Sequence, residues 1–341
     1  MVKNPVLSIN SLGSPWQGVD PFLFCAYHVD HYPAGNGSLG LSDTQKSANN
    51  YRMYYGKSVP GFPRHPHRGF ETVTIVRQGY VDHSDSLGAK ARYGKGDVQW
   101  LTAGSGVQHA EMFPLLNTDV PNTLELFQIW LNLPARKKLV RPAFKMFWAE
   151  EIPYYCSGGA EVEVIAGRLH PLDGSYPLDP PLPPENSWAF QDEAELAIWL
   201  IKLKPNASLL LPAATRAETK RSLYIFQDKM LHIAMQPVRG KSIVTVDPLH
   251  PLPLTNNDAE EIQILLLQGV PIGEKVAMSG PFVMNSSEEI YQAEIDYATT
   301  QFGDWPWQSD QPTHGNKKER FIYHPDTLKQ TPPTKNRKTE K

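Results

Sequence analysis

Two short stretches of the chain each carry a pair of metal-ligand side chains separated by one residue. The first pair is His65 and His67, and the second pair, further along the chain, is His109 and Glu111. Side chains two residues apart on a β-strand point to the same face of the sheet. If both strands belong to one barrel, three imidazoles and one carboxylate can converge on a metal ion inside it.

The residues around these pairs favour strands, and much of the chain consists of similar short runs. Residues 71–76 are rich in Thr, Val and Ile, and residues 124–131 form a long apolar and aromatic run. The 31 prolines lie mostly between such runs, where proline ends elements and sets turns. This punctuation is typical of a barrel or sandwich rather than of βαβ units, so we predict an all-β fold.

Composition excludes several classes of protein. The 341 residues are enough for two domains, and the net charge of -3 gives no reason to expect direct binding to nucleic acid. Cys25 and Cys156 are too few for a disulfide framework, so we expect reduced thiols. The first residues lack the apolar core of a signal peptide, and no window approaches a membrane span. We therefore expect a cytoplasmic monomer that does not bind membranes.

Longer runs around the ligand pairs resemble the pirin family of bicupins. The matching runs are residues 61–73, 96–104, 109–112 and 280–285. The resemblance extends over roughly residues 18 to 305, and its first three runs are long and specific, whereas an isolated His-x-His motif is weak. It implies two cupin-type β-barrels, one of which holds a metal.

The fourth ligand of such a metal has two candidates, Glu71 and Glu111. Glu71 shares the strand parity of His67, but on a regular strand it lies roughly 13 Å farther along. The resemblance places the ligand at Glu111. It therefore implies a metal site made of His65, His67, His109 and Glu111, with Glu71 in a supporting or structural role.

Three imidazoles and a carboxylate form a mixed nitrogen and oxygen ligand set. Closed structural zinc sites more often use thiolates, whereas imidazole suits iron, copper, nickel and zinc. Four ligands on an ion that prefers six leave two positions for water, substrate or dioxygen. Together with the iron-binding members of the family, this favours one Fe(II) ion, with Zn, Mn, Ni, Co or Cu as alternatives. No residue is assigned to another cofactor.

The resemblance implies competing functions. In the first, the chain is a quercetin 2,3-dioxygenase whose substrates are a flavonol and dioxygen, and Glu111 accepts the proton of the flavonol 3-hydroxyl. In the second, the chain is a non-enzymatic redox sensor that binds a transcription-regulatory protein partner. In the third, the metal only stabilises the barrel. The sequence does not choose between the enzyme and the sensor, because both need the same four ligands. We favour the enzyme, because net charge and tail give no sign of a nucleic-acid partner.

We predict a metal-bearing barrel over residues 1–140 and a second barrel over residues 141–310, joined by residues 136–160. The second barrel is expected to bind no metal, because its histidines are isolated from one another: His170, His232 and His250. A helix is expected from about residue 287. The basic residues of 311–341 predict a disordered tail.

Other features have a simpler explanation. Ser286 and Glu289 form a possible capping box for the predicted helix. The proline-rich residues 171–184 could recruit a proline-binding module, but a rigid surface loop is the better interpretation. His83 and Asp85 could support the metal ligands, although we prefer a turn capped by Asp85. The two histidines of the first strand region are expected in a loop or at the surface: His28 and His31.

Overall fold

The computed structural model of the protein describes residues 4–48, 51, 53–325 and 328–334. Within them the backbone consists mainly of strands, which confirms the all-β prediction. Strands β1 to β12 are Val6–Ser11, Trp16–Gln17, Phe22–Tyr32, Gly61–His67, Phe70–Gln78, Tyr80–Asp85, Lys90–Gly94, Val98–Thr102, Val107–Met112, Asn122–Asn132, Ala143–Phe147 and Tyr154–Ser157. Strands β13 to β24 are Ala160–Ala166, Ala197–Leu203, Ser208–Leu211, Lys220–Ile225, Met230–Ile233, Gln236–Arg239, Ser242–Val246, Leu252–Asn256, Ile262–Gly269, Ala277–Ser279, Phe282–Met284 and Phe321–Tyr323.

Two α-helices interrupt the strands, α1 (Asp43–Ala48) and α2 (Ser287–Thr300). Helix α2 begins where predicted, because the Ser286 side chain accepts a hydrogen bond from the Glu289 backbone N–H at 3.3 Å. The Glu289 carboxylate accepts in turn from the Asn285 N–H at 2.8 Å, one residue before the expected partner. Single turns of 3-10 helix occur at Ala135–Lys137, Trp188–Phe190 and Asp192–Ala194. Neither α-helix nor any other helix in the described ranges is long and apolar enough to cross a bilayer.

The chain folds into two compact units whose limits differ from the predicted boundaries. One unit combines Met1–Cys25 with Glu151–Gly273, and the other combines Ala26–Glu150 with Glu274–Lys341. The N-terminal residues belong with the second barrel because β1 pairs with β19, from Val6 opposite Val246 onwards. Such a pairing is set by distant residues, so the order of runs along the chain does not indicate it.

The unit that contains the ligand pairs has two larger antiparallel sheets and the two-stranded sheet β22-β23. Within this unit the strands of the larger sheets follow the orders β11-β8-β5-β10-β3 and β24-β7-β6-β9-β4. Alternate side chains of these strands point inward and form an apolar core. Its buried members are Tyr32, Leu41, Met53, Val76, Val81, Ala91, Tyr93, Phe113, Leu115, Leu124, Leu126, Met146, Trp148 and Ile322. Helix α2 packs against β22 and β23 within the same unit.

The other unit has a more uniformly apolar interior. Its sheets have the orders β1-β19-β16-β21-β14-β13-β12 and β15-β20-β17-β18. Strand β21 shows the inward alternation clearly, since Ile262, Ile264 and Leu266 all belong to the core cluster. These residues are fully or almost fully buried, so the barrel interior is packed with side chains.

The predicted disordered tail is wrong for the part of it that the structure describes. Strand β24 pairs with β7, with Ile322 opposite Ala91, and Ile322 is only 3% exposed. Arg320 forms an ion pair with Asp97 at 2.6 Å. A short apolar run in a basic segment is therefore enough to add a strand to the sheet. Residues 326–327 and 335–341 of the predicted tail lie outside the described residues.

Candidate metal centre

Strands β4 and β9 pair antiparallel, and this pairing places His65 directly opposite His109. The register shifts by one residue between Phe62 and His65. Pro63 lies within this shift, and proline has no N–H to give to the ladder. The irregularity is thus encoded by the sequence, and a local bulge of this kind re-aims the side chains that follow it.

The three imidazoles form one tight group. The ring centroids of His65 and His109 are 4.4 Å apart, and that of His67 lies 4.8 Å from each of them. One ring nitrogen from each residue lies within 4.8 Å of the others, which is a geometry that could hold a metal ion. His67 and His109 are buried, and His65 is half-buried.

Hydrogen bonding leaves lone pairs available in this group. The Nδ1 atom of His65 lies 2.8 Å from the Pro63 carbonyl oxygen. Because a carbonyl only accepts, Nδ1 carries the proton and Nε2 keeps its lone pair. Within the described residues, Nδ1 of His67 and both ring nitrogens of His109 are buried without a hydrogen-bond partner. Buried polar atoms without partners are rare, and an ion would satisfy them.

Burial also keeps these imidazoles neutral. It lowers the pKa of His65, and it lowers the pKa values of His67 and His109 well below the usual range, with a further contribution from the neighbouring imidazoles. A charged imidazolium loses hydration in such a place, and adjacent positive charges repel each other. The neutral forms that a metal requires are therefore the stable forms at neutral pH.

Glu111 lies beside the imidazoles and is 2% exposed. Its Oε2 atom lies 4.0 Å from His109 Nε2 and accepts a hydrogen bond from Gln128 Nε2 at 2.8 Å. Its Oε1 atom is buried and has no hydrogen-bond partner among the described residues. Burial raises the pKa of the Glu111 carboxyl, partly offset by His83 and by the bond from Gln128. The structure thus groups the three imidazoles, and Glu111 approaches this group through His109.

Glu71, the other carboxylate considered, is engaged elsewhere. It is fully buried, and its Oε1 atom accepts hydrogen bonds from Trp100 Nε1 at 3.0 Å and from Thr102 Oγ1 at 2.7 Å. Thr102 lies directly opposite Glu71 in the pairing of β5 with β8. These bonds tie the two strands together, which fits the structural role that the sequence suggested.

His83 and Asp85 combine the two roles that the sequence left open. Asp85 Oδ1 accepts from the backbone N–H groups of Leu87 and Ala89, so it does cap a turn. Its Oδ2 atom lies 3.0 Å from His83 Nε2, and the His83 ring is 5.5 Å from that of His109. His83 therefore packs against the imidazole group.

Three further residues relate the site to the sequence analysis: Gln128, His28 and His31. Gln128, which holds Glu111, was not expected at the site, because it comes from β10 and has no ligand-type side chain. His28 and His31 lie on strand β3, where His31 is exposed at the surface as expected and His28 is half-buried, and neither joins the group.

The chain matches two family models and several relatives. The Pirin model matches residues 10–131, and the Pirin C-terminal cupin domain matches residues 198–303. A relative from Pseudomonas aeruginosa named "Putative quercetin 2,3-dioxygenase" is 33% identical, over 87% of this chain and 92% of its own. Pirin-1 of Arabidopsis thaliana is 35% identical, over 71% of this chain and 78% of its own.

This chain is also similar to a protein of known structure. The crystal structure of quercetin 2,3-dioxygenase from Acinetobacter baumannii has a TM-score of 0.66 and 25% sequence identity, and the match covers 88% of this chain and 98% of that one. The expected pair of cupin-type barrels is therefore confirmed. Both family models and the relatives lead to one conclusion: the chain belongs to the pirin family of bicupins.

Proposed function

We propose that His65, His67, His109 and Glu111 bind one transition metal ion, Fe(II) in the active form, and that the protein is a flavonol 2,3-dioxygenase of the quercetinase type. The observation that carries this proposal is the group of three neutral imidazoles, two buried and one half-buried, beside a carboxylate whose Oε1 has no hydrogen-bond partner among the described residues. Such a mixed ligand set leaves coordination positions open on an ion that prefers six ligands. The names of the relatives from Pseudomonas and Acinetobacter support the choice of reaction.

The bound metal, Gln128 and Glu111 would each have a separate role in the reaction. When bound, the metal supplies Lewis acidity and the capacity to exchange an electron with dioxygen. The hydrogen bond from Gln128 holds Glu111 Oε2, which leaves Oε1 to accept the proton of the flavonol 3-hydroxyl. The raised pKa of Glu111 makes this carboxylate a stronger base than an exposed one, which is what proton transfer near neutral pH requires.

Aromatic side chains would shape the surroundings of this reaction. The His67 ring lies 5.3 Å from the ring of Trp130 and 5.0 Å from that of Phe70. Those two rings are stacked with centroids 4.0 Å apart. The fully buried Phe70 would keep water from the imidazoles on this side, and the partly exposed Trp130 would offer a flat surface to an aromatic substrate.

The test is turnover of quercetin by the Fe(II)-loaded protein. We expect loss of flavonol absorbance together with uptake of one dioxygen per flavonol, and no turnover by His65→Ala/His109→Ala. A matched control is His232→Ala/His250→Ala, which removes two histidines of the other unit and should keep full activity. If the wild-type protein turns over no flavonol with any of the metals Fe, Mn, Ni, Co and Cu, the enzyme proposal is wrong. The redox-sensor hypothesis then takes its place.

A further inference from the structure

Two polar residues occupy inward positions at one end of the other barrel, the unit of residues 151–273. On strand β16 the side chains of Arg221, Leu223 and Ile225 point to the same face, and Leu223 and Ile225 belong to the apolar core. Arg221 must therefore point into the barrel. Gln268 lies directly opposite it on β21. A guanidinium and an amide thus stand where the alternation along both strands calls for apolar side chains.

The charge of Arg221 has no direct counter-ion in the described part of the chain. Arg221 is 1% exposed, and its Nε atom donates to Gln268 Oε1 at 2.7 Å while Nη1 donates to the Pro212 carbonyl at 2.8 Å. Both acceptors are neutral, and the hydrogen bonds found for Arg221 leave Nη2 without an acceptor. Burial lowers the pKa of Arg221 to about 10. Buried arginines are normally paired, so this one can still accept an anion.

Glu195 is the acidic group that interacts electrostatically with Arg221, but both of its carboxylate oxygens already accept hydrogen bonds from other groups. They accept hydrogen bonds from the backbone N–H groups of Thr215 and Arg216 and from the hydroxyls of Thr215 and Thr219. The other titratable residues around the cavity are exposed at its rim: Arg168, His170, Asp179 and Asp192. Arg168 and Asp179 pair with each other. None of these groups neutralises Arg221 directly.

Arg221 lines a cavity of about 760 Å³ at this end of the barrel. Trp199 and Phe190 give the cavity aromatic surface, and the segment from Pro180 to Pro183 adds an apolar edge. Trp199 is held in place by a bond from its Nε1 to the Gly167 carbonyl at 3.3 Å. A volume of this size, with apolar walls and one buried charge, is typical of a site for a small molecule.

We propose that this cavity binds a small aromatic carboxylate. The carboxylate would accept from Nη2 of Arg221, because a guanidinium recognises that group through parallel N–H bonds. The ring would lie against Trp199, Phe190 and the proline-rich edge, which gives residues 171–184 a role as the wall of a binding site. The proposal is independent of the chemistry at His65, His67 and His109.

The competing explanation is that Arg221 only ties Pro212 to Gln268. A titration of the full-length protein with 2-naphthoate distinguishes a ligand site from this structural role. Binding is monitored by tryptophan fluorescence and by calorimetry. We expect saturable binding at one site, with 2-naphthamide bound at least about 10-fold more weakly, because the amide has the same shape but no charge. Both titrations are made on metal-loaded and on chelator-treated protein, and we expect the same affinity in each, which excludes coordination of the carboxylate to a metal.

Variants then assign the site. Arg221→Gln should abolish the preference for the acid over the amide, whereas Lys220→Gln, on the exposed face of the same strand, should keep it. If Arg221→Gln fails to fold, the two ligands on the wild-type protein still decide the question. Equal affinity for acid and amide, or no saturable binding of 2-naphthoate up to about 1 mM, which is the weak end of specific affinities, would overturn the proposal.

Discussion

Gln128 Nε2 donates a hydrogen bond of 2.8 Å to Oε2 of Glu111, while Oε1 of the same carboxylate is buried without a hydrogen-bond partner in the part of the chain that the structure describes. One oxygen is therefore fixed and the other is left for a ligand or a proton. The two residues come from different strands, β10 and β9, so the barrel itself sets the direction of the carboxylate.

Gln128→Leu should weaken metal binding and turnover by about 10- to 100-fold, because residues that orient a ligand usually contribute that much. The measurement is the dissociation constant for Fe(II) and, separately, kcat for a flavonol. The matched control is Gln78→Leu, since Gln78 Nε2 makes the same kind of bond to Glu125 Oε2 at 2.9 Å on the surface. If the Gln128 and Gln78 variants behave alike, Gln128 has no role in positioning.

Glu111→Gln separates the two roles proposed for Glu111. The amide keeps the size and an oxygen donor but loses charge and basicity. We expect substantial metal retention together with a loss of turnover on the order of 100-fold or more. The comparison is made at matched metal occupancy, with Glu125→Gln as a surface control. Raising the pH to ionise the flavonol 3-hydroxyl should partly restore turnover. A variant as active as the wild type would remove Glu111 from the mechanism.

The buried ion pair of Asp82 and Arg92 predicts a large effect on stability. Arg92 is fully buried, and its Nε and Nη2 atoms each donate to the Asp82 carboxylate at 2.6 Å. Asp82→Ala leaves that charge uncompensated, so we expect the free energy of unfolding to fall by about 3–5 kcal/mol.

Urea unfolding measures this effect. The control is Glu319→Ala, which removes an exposed pair with Lys329 and should leave the unfolding midpoint nearly unchanged. A fall for Asp82→Ala as small as that of the control would show that the buried pair contributes nothing.

Lys138 predicts a pH dependence of stability. The residue is 1% exposed, and its ammonium donates to the carbonyls of Gly69 and Val283 and to Asn132 Oδ1. Burial lowers its pKa from 10.5 to about 8. Between these values the unfolded chain binds the proton more tightly than the folded protein, so stability rises with pH. Relative to Lys138→Met, the wild type should gain about 2–3 kcal/mol between pH 7.5 and pH 10.

The free energy of unfolding is measured for both proteins across this pH range. Lys145→Met is the control for the loss of a lysine side chain, because Lys145 is exposed on β11. A difference between the wild type and Lys138→Met that does not vary with pH would contradict the lowered pKa of Lys138.

Local sequence patterns predicted most of the features that depend on a single strand or helix. The i, i+2 spacing of His65 and His67 fixes a common face, and the Ser286 and Glu289 pair marks the start of a helix, so both could be read without the fold. The bulge at Pro63 also has a local cause, although the spacing alone does not show where it re-aims His65.

Features that depend on pairing between distant strands could not be predicted. The side chain of Gln128, on β10 in one sheet, reaches Glu111, on β9 in the other sheet, only through the folding of the barrel. In the same way, β1 joins the other unit only through β19. Residues Phe321–Tyr323 of the tail form a strand because they pair with the otherwise open edge of β7. Arg221 and Gln268 become neighbours in the same way, across the register of β16 and β21. No composition or spacing rule carries this information.

The central claim is that His65, His67, His109 and Glu111 bind one transition metal ion. The most direct test is the metal content per chain after anaerobic loading with Fe(II) and removal of free metal. We predict one ion for the wild type and for the His232→Ala/His250→Ala control, and almost none for His65→Ala/His109→Ala. An unchanged metal content in His65→Ala/His109→Ala would contradict the site and the function proposed from it.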